Sequence, residues 1–542
     1  MKHTYKKNKR IKSRQLDNED EDEDNTQSKS RTPTPSKSRP ISNSSEYKTE
    51  LCNKKMTFQE CEIAILRHAV DETEKRQGQK MAKSDDIQKI LKIVEDFIVR
   101  KKLVCYGGTA INNILPKYAQ FYNRDIEIPD YDFFSPNALD DAKELADIYY
   151  KSGYVEVEAK AGMHMGTFKV FVNFIPIADI TYMHKDLYAA IFKDSIVVLN
   201  THYAPPNYLR MAMYLELSRP AGDVSRWEKV MKRLNLLNTH YPLVSKDKCY
   251  KLDFSKQIED AADDLEQLYI TIRDSLIDQS TVFFGGYAMS LYSKYANNTG
   301  RSVMANRMKF DVLSEEPEKC ATIIKENLTR ANFKNIKTVK HPAFSEIIPE
   351  HIEIIVGKRT MAFIYKPIAC HSYNQITIDG KQIHVATIDT ILTFYLSFLY
   401  ADMPYYNRDR LMCMANFLFE IEQQNRLEQR GLLKRFSIDC YGKQPTMEDI
   451  RAEKANKFKE LKNDRNSEEY EMWFLKYVPD KKKNKTPEPT EVLEKESHKE
   501  RDVEMNKDES KESSIFSSLF GSSLKKNNKT KKRRATSSKY LV

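Results

Sequence analysis

The sequence predicts an α/β protein built from two tandem copies of one module, each a mixed sheet flanked by helices, with disordered tails. Two observations carry this expectation. The stretch LVCYGGTAIN, with Gly107 and Gly108, returns as TVFFGGYAMS, with Gly285 and Gly286, about 180 residues later. An aspartate within apolar sequence follows each diglycine at almost the same interval: Asp132 lies 24 residues beyond Gly108, and Asp311 lies 25 beyond Gly286. Self-similarity of this kind marks a duplicated unit.

The elements follow in order. A helix is expected from about residue 84, with Ile87, Ile90, Leu91, Val94, Phe97 and Ile98 at helical spacing on one face. Its counterpart runs from 260 to about 277. Each helix leads into a short apolar strand and then the diglycine. Further on, the strand stretch FKVFVNFIPIADITYM corresponds to IEIIVGKRTMAFIY, and the helix APPNYLRMAMYLEL to ATIDTILTFYLSFL. Alternating helices and strands of this length suit a mixed sheet covered by helices.

Charge is distributed unevenly. The chain has 542 residues, with 88 Lys and Arg against 78 Asp and Glu, a formal net charge of +10. Residues 1–50 hold 12 basic and 9 acidic side chains, and residues 481–542 hold 17 and 10, which leaves 59 of each for 51–480. The excess therefore lies in the end segments, whose Ser, Pro and charge-rich composition cannot bury enough apolar surface to order. The KKRR cluster at 531–534 admits a nuclear-import or RNA-touching role beside that of a solvated tail. No apolar run reaches the length of a membrane span, and no apolar stretch follows the basic start. Eight cysteines are scattered without a CxxC pair, which argues against a zinc site or a disulfide framework and suits a reducing compartment.

The first copy concentrates the candidate chemistry. Gly107, Gly108 and Thr109 fall where a strand hands over to a helix, a place where backbone can approach a phosphate closely and helix N–H groups favour an anion. Asp130 and Asp132 alternate along a strand and so project from one face. Two such carboxylates repel unless a cation neutralises them, and hard oxygen donors suit Mg²⁺ or Mn²⁺. Asp179 sits inside the apolar run IPIADI, where a carboxylate is costly unless paired or metal-bound. Three aspartates near a glycine-rich turn can hold two divalent cations for nucleotidyl transfer. In the second copy Lys309 stands where Asp130 would be and Phe363 where Asp179 would be, so that copy is expected to be inactive. Residues 216–234 intersperse Arg219, Arg226, Lys229, Lys232 and Arg233 with Trp227; Lys229 is the candidate triphosphate contact and Trp227 a structural residue. The aromatic PYYNRDR stretch at 404–410 is read as ordinary packing in preference to base stacking.

YGGTAIN, PDYDFFS, IADITYM and above all ELSRPAGDVSRWEKVMKRL give the chain a resemblance to the polymerase-β-type nucleotidyltransferase superfamily. Within it the chain resembles the poly(A) polymerase catalytic subunits of large nucleocytoplasmic DNA viruses, over roughly 55–475. Two departures stand out: the gap from Gly108 to Asp130 is long, and Gly-Gly replaces the commoner Gly-Ser. The resemblance implies two nucleotidyltransferase-like modules, the first catalytic over 51–245 and the second degenerate over 246–478, with disordered segments 1–50 and 479–542. It implies template-free addition of adenylate from ATP to an RNA 3′ end. Asp130, Asp132 and Asp179 would ligate two divalent cations, Asp179 would help deprotonate the RNA hydroxyl, and Gly107, Gly108 and Thr109 would lie near the triphosphate. The implied setting is the virion and host cytoplasm, without a membrane, and the implied partner is a second copy or a separate processivity subunit. A nucleotidyltransferase with another acceptor (a tRNA end or a small molecule) and an inactive RNA-binding scaffold are the alternatives.

Overall fold

The computed structural model describes residues 51–53, 55–243, 263–296 and 309–479. The segments expected to be disordered, 1–50 and the tail beyond 479, lie outside the described residues. Residues up to Glu74 and those from Lys75 onward form two separate compact units. The first contains the start of a long helix, Phe58–Ala82. Both sheets belong to the second.

The helix Asp85–Lys101 shows how directly pattern becomes structure. Its buried side chains are Ile87, Ile90, Leu91, Val94, Phe97 and Ile98, the apolar face legible in the sequence. Asp85 and Asp86 sit in its first turn and Arg100 and Lys101 in its last, each complementing the helix dipole. Lys102, in the left-handed region at φ 54°, ends it.

The strands in chain order are β1 (Val104–Cys105), β2 (Tyr131–Ser135), β3 (Val157–Ala161), β4 (Thr167–Val172), β5 (Ile175–Tyr182), β6 (Ile196–Val198), β7 (Thr201–Tyr203), β8 (Val282–Phe283), β9 (Phe310–Leu313), β10 (Ile336–His341), β11 (His351–Val356), β12 (Arg359–Tyr365), β13 (His371–Ile378), β14 (Lys381–Ala386), β15 (Cys440–Tyr441) and β16 (Lys476–Tyr477). They form two eight-stranded sheets, ordered β16-β3-β4-β5-β2-β1-β7-β6 and β10-β11-β12-β9-β8-β14-β13-β15. Seven consecutive strands correspond one to one, from β3 with β10 to β6 with β13. Both sheets are mixed: β2 runs parallel to β5 and β9 to β12, whereas β1–β2 and β8–β9 are antiparallel. The fold is therefore two tandem modules of mixed α/β type.

Three features depart from the sequence reading. The stretch FKVFVNFIPIADITYM is a hairpin, β4 and β5, whose turn places Asn173 and Phe174 at φ 51° and 64°. Two consecutive positive φ values define a turn that matches strand twist; Asn-Phe lacks the glycine that usually announces it. Next, β16 pairs with β3 through Lys476↔Lys160 and Tyr477↔Ala159, so residues assigned to the second module complete the first sheet. Finally, disulfides join Cys52 to Cys61 and Cys370 to Cys440, contrary to the expectation of reduced thiols. The second pair is 70 residues apart in sequence, but β13 and β15 bring it together through Ser372↔Cys440 and His371↔Tyr441.

The modules dock through equivalent helices. Pro206–Leu217 of the first packs against Ile388–Phe398 of the second. The Ser372 N–H donates to the Ser218 carbonyl at 2.8 Å, and the Tyr208 and Tyr400 rings meet edge to face at 5.5 Å. Arg210 is fully buried, donating to Asn238, Asn207 and the Tyr241 carbonyl, and so ties Pro206–Leu217 to the next helix, Trp227–His240.

Candidate active site

Gly107 begins the helix Gly107–Ile114 at φ 71°, a conformation that favours glycine. A Cβ at Gly107 would lie 2.5 Å from Oδ2 of Asp132, so this glycine makes room for the carboxylate as well as for the turn. The Tyr106 N–H donates to the Asp132 carbonyl at 2.9 Å, and the buried Thr109 hydroxyl donates to the Asp130 carbonyl at 2.7 Å. Backbone and hydroxyl together fix the D-x-D segment beneath the helix start. Thr109 thus spends its hydroxyl on positioning Asp130.

Asp179 reaches the same place from β5. The register pairs Asp132 with Asp179 across parallel β2 and β5, and Lys169 of β4 with Asp179 across the next, antiparallel pair. The Lys169 ammonium donates to Oδ2 of Asp179 at 2.7 Å. Burial pushes the Asp132 carboxyl up to about 7; the charges of Asp130 and Asp179 push the same way, against Lys169 and Arg233. Burial alone would lower the Lys169 ammonium, but its bond to Asp179 and the charges of all three aspartates raise it.

The donor set fits divalent cations. It is all carboxylate, it spans adjacent strands, and the charges of Asp130 and Asp179 oppose the ionisation of Asp132, which an added cation would relieve. As the side chains stand, no three His, Cys, Asp or Glu residues among the described residues are gathered closely enough to hold a metal ion. Lys169 lies on Asp179 instead.

Arg233 also acts on Asp132. The long segment between Gly108 and Asp130 folds back, with Oδ1 of Asn112 accepting from the Phe121 and Tyr122 N–H groups at 2.8 Å each. This presents the Tyr122 hydroxyl to Arg233, whose guanidinium donates to it at 2.6 Å and lies 5.2 Å from the Phe121 ring centre. A Cβ at Gly108 would meet the Tyr122 hydroxyl at 2.5 Å and Arg233 at 2.9 Å, so Gly108 admits both. Lys229 is exposed one turn earlier on the helix Trp227–His240. Arg226 turns away to Glu216 at 3.2 Å. The Trp227 indole N–H donates to the Glu216 carbonyl at 3.1 Å and its ring lies 5.7 Å from Phe436, a structural role. Sequence reasoning did not single out Lys169 or Tyr122; the signal available was a lone lysine within the apolar alternation of FKVFV.

The second copy repeats the frame with other side chains. Asp311 pairs with Phe363, and Phe363 with Glu353, where the first copy has Asp132, Asp179 and Lys169. Burial pushes Asp311 up to about 6, opposed by Lys309, Arg410 and the Gly286 N–H. Tyr405 packs 4.7 Å from the Phe363 ring and Tyr406 stacks 4.1 Å from Phe398, with the Tyr365 and Tyr406 hydroxyls 2.8 Å apart. The aromatic pair of PYYNRDR is thus packing.

The comparisons agree with this geometry. Residues 92–223 match the model of the family described as poly(A) polymerase catalytic subunit. A "Putative poly(A) polymerase catalytic subunit" of African swine fever virus is 34% identical over 168 residues, covering 30% of this chain and 35% of the relative. A protein of the same description from Acanthamoeba polyphaga mimivirus is 29% identical over 215 residues, 38% of this chain and 35% of the relative. The chain thus spans about a third of the length of the curated relatives it matches. The crystal structure of the Megavirus polyadenylate synthase shares the fold at a TM-score of 0.66 and 20% identity, over 84% of this chain and 92% of that one. The residues that match the poly(A) polymerase catalytic subunit family model, 92–223, are thus the ones that carry the diglycine turn and all three aspartates.

Proposed function

We propose that this protein is a poly(A) polymerase that extends RNA 3′ ends with adenylate from ATP, without a template, and that its chemistry resides in the first module, over 51–245. The observation that carries this reading is the registered pair Asp132 and Asp179 beside the Gly107 turn, within the residues that match the family. Asp130, Asp132 and Asp179 would hold two divalent cations, Mg²⁺ or Mn²⁺. When bound, these supply a more acidic RNA 3′-hydroxyl and neutralise charge on the α-phosphate and the departing pyrophosphate. Asp179 accepts or relays the hydroxyl proton. Gly107 and Gly108 bring backbone N–H groups close to the triphosphate, and Arg233 and Lys229 supply cationic contacts to it. The second module, 246–478, supports the first by packing.

The relatives' description as catalytic subunits supports a further polypeptide, either a second copy of this chain or a processivity subunit; the mass of the purified protein in solution separates these. An assay with each labelled nucleoside triphosphate and an unstructured RNA tests the activity. AMP incorporation into long 3′ tails is expected. Incorporation of CMP alone, or no extension, would overturn the proposal.

A further inference from the structure

We propose that Lys169 is a resident counter-cation of the carboxylate site: it holds Asp179 in the metal-free enzyme and is displaced when divalent cations load. This rests on the reading of Asp130, Asp132 and Asp179 as metal ligands. The placement is built into the sheet. Lys169 lies opposite Asp179 in the β4–β5 register, and Asp179 lies opposite Asp132 in the β2–β5 register, so one lysine faces a row of carboxylates. Phe168 and Val170 on either side of it are fully buried, which anchors its backbone. Its own side chain remains 41% exposed while that of Asp179 is only 19% exposed, so the ammonium has solvent to retreat into.

The chemistry suits a removable partner. Lysine presents a point charge on a flexible stem, whereas arginine would grip the carboxylate with two bonds. A single ammonium offsets part of the repulsion among three carboxylates, and a divalent cation offsets more. The second copy is an internal control. Where Asp179 is replaced by Phe363, the position facing it carries Glu353, not a cation. The lysine is found where the aspartates are.

The test is a Mn²⁺ titration of the full-length, nucleotide-free protein, read by the paramagnetic resonance of free Mn²⁺, with melting temperatures measured in chelator and in Mn²⁺. Lys169→Met is expected to bind Mn²⁺ about 2- to 5-fold more tightly, the range set by one partly exposed ion pair. It should melt lower than wild type in chelator and regain most of the difference in Mn²⁺. Unchanged or weaker Mn²⁺ affinity would overturn the proposal, as would an equal melting loss with and without metal. Lys169→Arg keeps the charge and should bind Mn²⁺ no more tightly than wild type; a gain equal to that of Lys169→Met would also refute it. If wild type and Asp132→Asn bind Mn²⁺ identically, the metal-ligand reading itself fails, separately from the role of Lys169.

Discussion

The two sheets share seven strands in one order and, of three registered positions, differ at two. In the first, β2, β5 and β4 contribute Asp132, Asp179 and Lys169; in the second, β9, β12 and β11 contribute Asp311, Phe363 and Glu353. Both retain a diglycine whose first member makes way for the aspartate of the strand behind it. The glycine and that aspartate are therefore a feature of the fold. The two copies part at the second strand's carboxylate and the lysine opposite it. Where those are lost, aromatic rings have filled the space: Phe363 under Tyr405, and Phe398 under Tyr406.

The sharpest way to break this comparison is to remove one carboxylate from each sheet. Asp132→Asn and Asp179→Asn should each lower the rate of adenylate addition by about 10²–10³-fold or more, while Asp311→Asn should leave it within a few-fold. Equal losses measured on the same RNA would mean that the second copy takes part in catalysis. Next in size, Arg233→Ala should raise the KM for ATP by about 10-fold, and Tyr122→Phe, which releases Arg233, by about 3-fold. A fall in kcat alone would place Arg233 elsewhere in the reaction.

A stability difference should run the other way. Gly285→Ala drives a methyl group into Asp311 and should cost about 1–3 kcal/mol by overpacking, visible in denaturant unfolding, with adenylate addition preserved below the melting range. Loss of activity without loss of stability would contradict a purely supporting role. A further effect is on pH dependence in chelator. Folded Asp132 keeps its proton up to about 7, whereas the unfolded chain releases it near 3.8. The native state therefore binds more protons in that window, and its contribution to stability falls as pH rises through it. Asp132→Asn should remove this part of the slope between about pH 4 and 7; an unchanged slope would place the titration elsewhere.

How much of this was legible in the sequence follows from what each feature depends on. Helical spacing named the full buried face of Asp85–Lys101, because a helix reads its own periodicity locally. The two diglycine units gave the duplication, and the correspondence of Phe363 with Asp179 survives in the strand register. Features that depend on distant pairing were hidden. Lys169 belongs to the site only because a hairpin turn at Asn173 and Phe174 folds β4 onto β5. Cys370 meets Cys440 only because β15 joins β13. Tyr122 reaches Arg233 because Asn112 fastens an inserted segment to the helix of the diglycine.

The strand Lys476–Tyr477 has a consequence for how the protein comes into being. It closes the edge of the sheet that carries Asp132 and Asp179, yet it follows the whole of the second sheet in the chain. A ribosome making this protein releases β3 long before its neighbour exists, so during most of synthesis that edge offers unpaired backbone groups to any passing strand. The first sheet cannot be finished in the N-to-C order that independent domains follow. A nascent chain arrested before residue 476 should be more prone to aggregate than one arrested just after 477 has emerged. The two modules, separable by their repeats, are made inseparable by a two-residue strand.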